Sequence, residues 1–121
     1  MTIILHLPWP PSSNHANKIG RKSVFPSKEM KAFLAEADGL AYTQKPFRCV
    51  VGPFTYHLVL NREKRRHNSD GENRIKHCVD YAQRIGIIEN DKLAEGGSWS
   101  WGECLHGAML SIHPWKSDGG L

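Results

Sequence analysis

The hydrophobic pattern of the chain begins with two segments that have the period of β-strands. A short apolar run with β-branched residues predicts a strand at about 2–7, and the prolines within 8–11 end it. In a second segment, at about 50–60, apolar side chains stand at every other position from Phe54 to Leu60. Alternation of this kind is typical of a strand with one buried face.

Two other segments have the period of α-helices. The first helix is predicted at about 27–42, where Ser27 is a suitable N-cap residue ahead of apolar positions at helical spacing. The second is predicted at about 70–85, with a buried stripe spaced i, i+3, i+4, i+7 from Ile75. Gly86 follows as a left-handed C-cap, and Ile87 is placed to pack back on the last turn.

The rest of the pattern predicts one long loop and two final strands. Residues 12–26 are polar and basic and predict a loop, and loops of that length are often functional. The last strands are predicted at about 97–102 and 104–113, paired as a hairpin around Gly102-Glu103. The order β-α-β-α-β-β predicts a single α+β domain, with two helices packed on a small mixed sheet.

Composition and charge narrow the class of protein. The chain has 121 residues, 40% of them hydrophobic, and a formal net charge of +4, which allows a nucleic-acid partner without demanding one. Three widely separated cysteines predict free, buried thiols in a reducing compartment, and they lack the paired spacing of a zinc site. With no long apolar run and no signal peptide, we expect a cytoplasmic protein without a membrane partner.

The start of the second helix, in the stretch SDGENRIK, supports two interpretations. Glu72, Asn73, Lys76 and Asp80 fall on one flank of the helix, beside its buried stripe. This flank is explained by helix stability alone, as a Ser69–Glu72 capping box followed by a ladder of opposite charges. The same flank would also suit a divalent metal held against a phosphate. Helix physics alone favours the stability interpretation but leaves both open.

Two neighbouring features favour a site that acts on a polyanion. The basic run 62–66 immediately precedes the acidic helix start, and cations that hold phosphates are needed beside metal-binding carboxylates. Asp91 adds a further carboxylate after the helix, and oxygen ligands of this kind suit Mg²⁺. Asp91 reaches the helix start of its own chain only if the chain doubles straight back. Otherwise it meets Asp70 and Glu72 of another subunit.

From Leu7 to about Trp99 the chain resembles the RusA-type crossover-junction endodeoxyribonucleases, the small bacterial and prophage resolvases of Holliday junctions. The opening LPWPPSSN (7–14) is similar to the family's N-terminal L-P-x-P-P-S-x-N motif. The stretch RRHNSDGENRIKHCVDYAQ (65–83) resembles its basic run, followed by D-x-D-N and a lysine four residues after the second acid. The stretch GIIENDKL (86–93) resembles its G-x-x-x-D-D segment.

The resemblance implies a Mg²⁺- or Mn²⁺-dependent homodimer that makes paired, symmetric nicks in four-way DNA junctions during recombination and repair. It implies metal binding and catalysis by Asp70, Glu72 and Asp91, catalysis by Lys76, and supporting roles for Asn73 and Asn14. Cations that would contact backbone phosphates are Lys18, Arg21, Lys22, Arg62, Lys64, Arg65 and Arg66.

Two positions depart from the family pattern. Glu72 replaces the second aspartate of D-x-D, which keeps the charge but adds a methylene, and Asn90 replaces the first aspartate of the D-D pair. One alternative is therefore a non-catalytic DNA-binding relative with a degenerate acidic site. Another is an interaction module in which the acids only cap a helix. The histidines are scattered, and His67 and His77 are considered only as minor candidates for a phosphate contact.

Overall fold

The structure is a computed structural model that describes residues 2–12, 17–19, 24–45, 47–65 and 71–115, with only the backbone described in 17–19 and 24–26. Its strands are β1 (Ile3–Leu7), β2 (Asn17–Ile19), β3 (Val24–Pro26), β4 (Phe54–Asn61), β5 (Ala94–Gly102) and β6 (Ala108–Pro114). The described helices are α1 (Lys28–Gln44) and α2 (Glu72–Arg84), and short 3₁₀ turns cover Arg62–Lys64 and Asp91–Leu93. The predicted α+β class is confirmed. The β2–β3 pair was not predicted, because the sequence indicated a loop over 12–26.

The main sheet has four strands in the order β1-β6-β4-β5 and is mixed, as predicted. The expected hairpin of the last two strands is wrong. β6 lies between β1 and β4 and is antiparallel to both, whereas β5 pairs in parallel with the other side of β4. The connection from β5 to β6 passes over the end of β4, where Asn61 donates through its backbone N–H to Gly107 and through Nδ2 to the carbonyl of His106 at 2.8 Å.

Burial explains why β6, and not β5, occupies the centre of the sheet. Alternate β6 side chains, Ala108, Leu110 and Ile112, are buried. They stand in register with buried residues of β1 and, for Ala108 and Leu110, with buried residues of β4. The first half of β5 contains Gly96 and Gly97 and is exposed. Since a central strand contributes side chains to the core between two neighbours, the apolar β6 is favoured there and the polar strand lies at an edge.

Both helices contribute to the same hydrophobic core as the sheet. The core side chains of α1 are Phe33, Ala37 and Ala41, and those of α2 are Cys78, Val79, Tyr81 and Ala82. The two helices are tied together by the Tyr81 hydroxyl, which donates to Asp38 Oδ1 at 2.7 Å. Burial and the carboxylate of Asp38 raise the pKa of the Tyr81 hydroxyl, so this group remains a hydrogen-bond donor at neutral pH.

The ends of the helices follow the predicted chemistry in most respects. Ser27 caps α1 by accepting a hydrogen bond from the Met30 N–H at 3.1 Å. After α2, Gly86 has a φ of 84° and Ile87 returns to the core, fully buried, as predicted. At the start of α2, Gly71 is already helical and makes no side-chain cap. Ser69 lies outside the described residues, so the capping box stays a prediction.

The side-chain amide of Gln44, at the end of α1, pairs with the backbone of β1. Gln44 Oε1 accepts from the His6 N–H at 2.7 Å, and Gln44 Nε2 donates to the His6 carbonyl at 2.9 Å. The amide thus occupies the backbone groups that a neighbouring strand would use, and it fixes the C-terminal end of α1 against β1.

Two further predictions concern cysteines and membrane segments. The three cysteines are free, as predicted, but Cys49 is exposed and Cys104 is partly exposed, so only Cys78 fits the expected burial. None of the helices in the described parts of the chain combines the length and the apolar character that a bilayer span requires.

Candidate metal and nucleic-acid site

The predicted flank of α2 is present in the structure. Glu72 and Lys76 are exposed, Asn73 and Asp80 are half-buried, and the adjacent stripe is in the core. Glu72 lies two turns N-terminal of Asp80, about 12 Å along the helix axis. The carboxylates of α2 are therefore spread along one side of the helix, with the Lys76 ammonium between them.

Asp91 returns to α2 within its own chain and reaches the helix past its middle. The backbone N–H of Asp91 donates to Gln83 Oε1 at 2.8 Å. Its carboxyl shares a hydrogen bond with that of Asp80, and the residues that line the small cavity there are Lys76, Asp80, Gln83, Arg84 and Asp91. The segment from Gly86 to Asp91 thus doubles back, and it brings Asp91 to Asp80 and Lys76.

The Asp80 carboxyl is electrostatically unusual. Partial burial raises its pKa, the hydrogen bond with the Asp91 carboxyl raises it further, and the charge of Lys76 acts in the opposite direction. Two carboxyl groups in contact repel each other when both are ionised, so a proton or a cation between them relieves the repulsion. Helical spacing predicts Asp80 on the polar flank, but no sequence motif assigns it to the site.

Asn90 has a local structural role at one of the positions that depart from the family pattern. Its side-chain oxygen accepts a hydrogen bond from the Lys92 N–H at 2.9 Å and caps the turn Asp91–Leu93. Aspartate is equally able to cap such a turn, so asparagine preserves its geometry while removing one negative charge. The replacement is therefore compatible with the observed position of Asp91.

Several predicted site residues, and the minor candidate His67, fall outside the described part of the structure. Asp70, Arg66, Asn14, Arg21 and Lys22 lie outside the described residues, and the side chain of Lys18 is not described. Within the described parts of the chain, no group of three or more His, Cys, Asp or Glu side chains is arranged to hold one metal ion. The convergence of Asp70, Glu72 and Asp91 stays a prediction.

The described cations of the basic run form an exposed turn at one end of the sheet. We call residues 62–65 the basic turn, since it contains Arg62, Lys64 and Arg65, all exposed. It directly follows β4, whose last residues pair in parallel with Trp101 and Gly102 of β5. Ligands of α/β units commonly bind at the carboxyl ends of parallel strands, where helix starts and loops meet.

Three tryptophans lie between the basic turn and the start of α2. Trp9 stacks on Trp101 with ring centroids 6.1 Å apart, and Trp99 meets Trp101 edge-on at 5.7 Å. The Trp99 ring covers Gly71 so closely that a side chain at that position would collide with it. The sequence gives no local signal for this aromatic cluster, because Trp9 and Trp101 are far apart in the chain.

His77 does not fit the phosphate contact for which it was a minor candidate. It is only 6% exposed, and neither ring nitrogen has a hydrogen-bond partner among the described residues. Burial and the nearby Lys76 charge lower the pKa of its imidazole. A buried, neutral imidazole is not a phosphate contact.

No protein-family model matches the chain, and no curated protein matches its sequence. Support for a function therefore comes from the residues of this chain.

Proposed function

We propose that the protein is a metal-dependent, structure-selective endonuclease that resolves four-way DNA junctions. The observation that carries the proposal is the return of Asp91 to Asp80 and Lys76 on α2. The basic turn follows the carboxyl end of β4, near the start of α2, whereas Asp91 precedes the parallel strand β5 and lies near the other end of α2. The protein therefore has carboxylates suited to a cation and, elsewhere on the same β4–α2–β5 unit, cations suited to DNA phosphates, and phosphodiester hydrolysis requires both.

The donor chemistry of the acidic groups suits Mg²⁺ or Mn²⁺. Asp80 and Asp91 offer carboxylate oxygens in contact with each other and partly open to solvent, which is an arrangement that a hard divalent cation would stabilise. Asp91 would hold the metal, together with Glu72 and Asp70 as the family resemblance implies. When bound, the metal supplies Lewis acidity toward the scissile phosphate.

The other residues have separable roles in the proposal. Lys76, which lines the same cavity as Asp91, would stabilise the negative charge that develops on the phosphate oxygens. Arg62, Lys64 and Arg65 would contact backbone phosphates, and such contacts position DNA without reading its sequence. The proposal includes a cytoplasmic homodimer acting in recombination and repair, because a two-fold dimer presents two sites to a two-fold junction and permits paired nicks.

The second candidate is a non-catalytic DNA-binding relative. It is favoured by Glu72 in place of aspartate and by Asn90, whose side chain caps a turn. In this candidate the basic turn still binds junctions, but no nicking is expected with any metal ion. The two candidates therefore differ in whether the protein nicks the junctions that it binds.

The test compares nicking of a strand-labelled four-way junction with nicking of a linear duplex of matching sequence, in Mg²⁺ and in Mn²⁺. Wild type is expected to make paired nicks in the junction only. Asp91→Asn is expected to lose about 100-fold or more of that activity and to retain junction binding in EDTA, because it removes a metal ligand. Asp70→Asn is expected to behave in the same way.

Glu89→Gln is the matched control, since it removes a carboxylate two residues from Asp91. Glu89 Oε1 accepts from the Gly52 N–H at 2.7 Å, and glutamine retains that acceptor. Glu89→Gln should nick like wild type. Junction binding without nicking by wild type would establish the second candidate, and equal nicking by wild type and Asp91→Asn would refute the assignment of Asp91.

A further inference from the structure

A connected series of guanidinium and indole groups joins three distant parts of the chain. The Arg74 guanidinium carbon lies 4.5 Å from the Trp9 ring centroid, Trp9 stacks on Trp101 with an angle of 26° between planes, and the Arg65 guanidinium carbon lies 5.3 Å from the Trp101 centroid. We call this series, Arg74–Trp9–Trp101–Arg65, the Arg–Trp stack. It runs from the first turn of α2, through the N-terminal loop, to the basic turn.

The Arg74 end and the tryptophan rings of the Arg–Trp stack are anchored. Arg74 also donates from Nη1 to the carbonyl oxygen of Pro10, which holds the N-terminal loop against α2. Trp101 belongs to β5, next to the last residues of β4. Trp99 meets Trp101 edge-on and covers Gly71, so the ring pair is in contact with the backbone at the start of α2.

The contact with Trp101 limits the rotamers of Arg65. Arg65 is exposed, and a long exposed side chain loses conformational entropy when it binds a ligand in one geometry. A ring that already attracts the guanidinium reduces that loss. The guanidinium meets an aromatic ring through its face but donates to phosphate through its N–H edge, so the two contacts are compatible.

We propose that Trp101 is a positioning residue, which holds the Arg65 guanidinium where it contacts one phosphate of the DNA at a fixed place relative to the start of α2. The inference rests on the proposed function and deepens it. Trp101 is half-buried against Trp9 and Trp99, so its role differs from that of an exposed ring on which an unpaired base stacks. Trp101 affects DNA binding through the position of the Arg65 guanidinium.

The test is the salt dependence of junction binding between about 50 and 200 mM NaCl, with Mg²⁺ absent. Each phosphate contact contributes about 0.9 to the slope of log affinity against log salt concentration for duplex DNA. Arg65→Ala should reduce the slope by about 0.9, and Trp101→Leu should reduce it by a similar amount. The double variant should show no further reduction, because both changes remove the same contact.

Three further variants exclude a general effect on folding. Trp101→Phe retains an aromatic face and should restore most of the wild-type slope. Trp101→Met keeps a large apolar side chain without a π face, so it replaces Trp101→Leu if that variant does not fold. Trp115→Leu removes another partly exposed tryptophan, beside Pro53 at the opposite end of β4, and should leave the slope unchanged.

The outcomes separate this inference from the proposed function. If wild type binds and nicks junctions while folded Trp101→Leu or Trp101→Met keeps the wild-type slope, the positioning role is overturned and the nuclease proposal stands. Weaker binding with an unchanged slope also overturns it, because no phosphate contact has been lost. If wild type does not bind junctions, both proposals are overturned.

Discussion

The backbone N–H of Asp91 donates to Gln83 Oε1 at 2.8 Å, and this bond ties the turn before β5 to the last turn of α2. The side chain of Gln83 thereby controls where the chain returns after Gly86. Because Asp91 contacts Asp80 at this point, the acidic pair depends on a neutral amide that takes no part in metal chemistry.

We expect Gln83→Ala to leave the position of Asp91 less fixed and to weaken the binding of Mg²⁺ at the site. The variant should lose about 1 kcal/mol of unfolding free energy, the usual net value of one hydrogen bond. It should also raise the Mg²⁺ concentration needed for half-maximal nicking. Gln44→Ala is the control, since Gln44 likewise bonds its amide to a backbone, at His6. It should lose stability with an unchanged Mg²⁺ requirement, and an equal shift in both variants would contradict the role of Gln83.

Asp80→Asn should change how stability depends on pH in metal-free buffer. Since the pKa of Asp80 is raised in the folded state, its protonated form favours folding. That contribution is fully present below the ordinary aspartate pKa of about 3.9 and is lost as pH rises through the raised value. In urea titrations, the unfolding free energy of wild type minus that of Asp80→Asn should therefore decrease as the pH rises from the ordinary aspartate pKa through the raised pKa of Asp80. A constant difference would show that the Asp80 carboxyl does not have a raised pKa.

Gly71→Ala should destabilise the start of α2. A Cβ at this position collides with the Trp99 ring, and overpacking of this kind costs about 1–3 kcal/mol. Gly39→Ala, in the middle of α1, has open space around the added methyl group and should gain about 0.5–1 kcal/mol. Chemical denaturation of the two variants measures the contrast. Similar stability for both would mean that Trp99 moves aside without cost.

His77→Leu should be more stable than wild type, and increasingly so in mild acid. The buried imidazole has a lowered pKa, so the unfolded chain takes up the proton first as pH falls. Stability is therefore full above about pH 6.5 and is lost as pH falls through the lowered folded value. Unfolding free energies at several pH values between about 5 and 7.5 should diverge for the two proteins. Parallel curves would argue against a neutral, buried His77.

The parts of the fold that follow from local chemistry were predictable from the sequence. Ser27 caps the start of α1 and Gly86 follows the end of α2, as expected, because a cap depends on a few neighbouring residues. The insertion of β6 between β1 and β4 was not predictable. Adjacent apolar strands with a turn between them favour a hairpin, and only the competition for the core between whole strands decides otherwise.

The same distinction applies to the candidate site. Helical spacing placed Glu72, Lys76 and Asp80 on one flank, because their geometry depends on a single helix. The contact between Asp80 and Asp91 depends on where the returning chain is held, and periodicity carries no information about the bond to Gln83. The Arg–Trp stack was missed for a similar reason, since its members come from separate elements.

The pairing of Gln44 with His6 also bears on solubility. A strand at the border of a sheet offers N–H and C=O groups to strands of other molecules, and such strands are common starting points for aggregation. The Gln44 amide occupies these groups at His6, near the C-terminal end of β1. Of the two bordering strands in the described sheet, β1 is therefore protected by a side chain, whereas β5 carries its own exposed charge at Glu95.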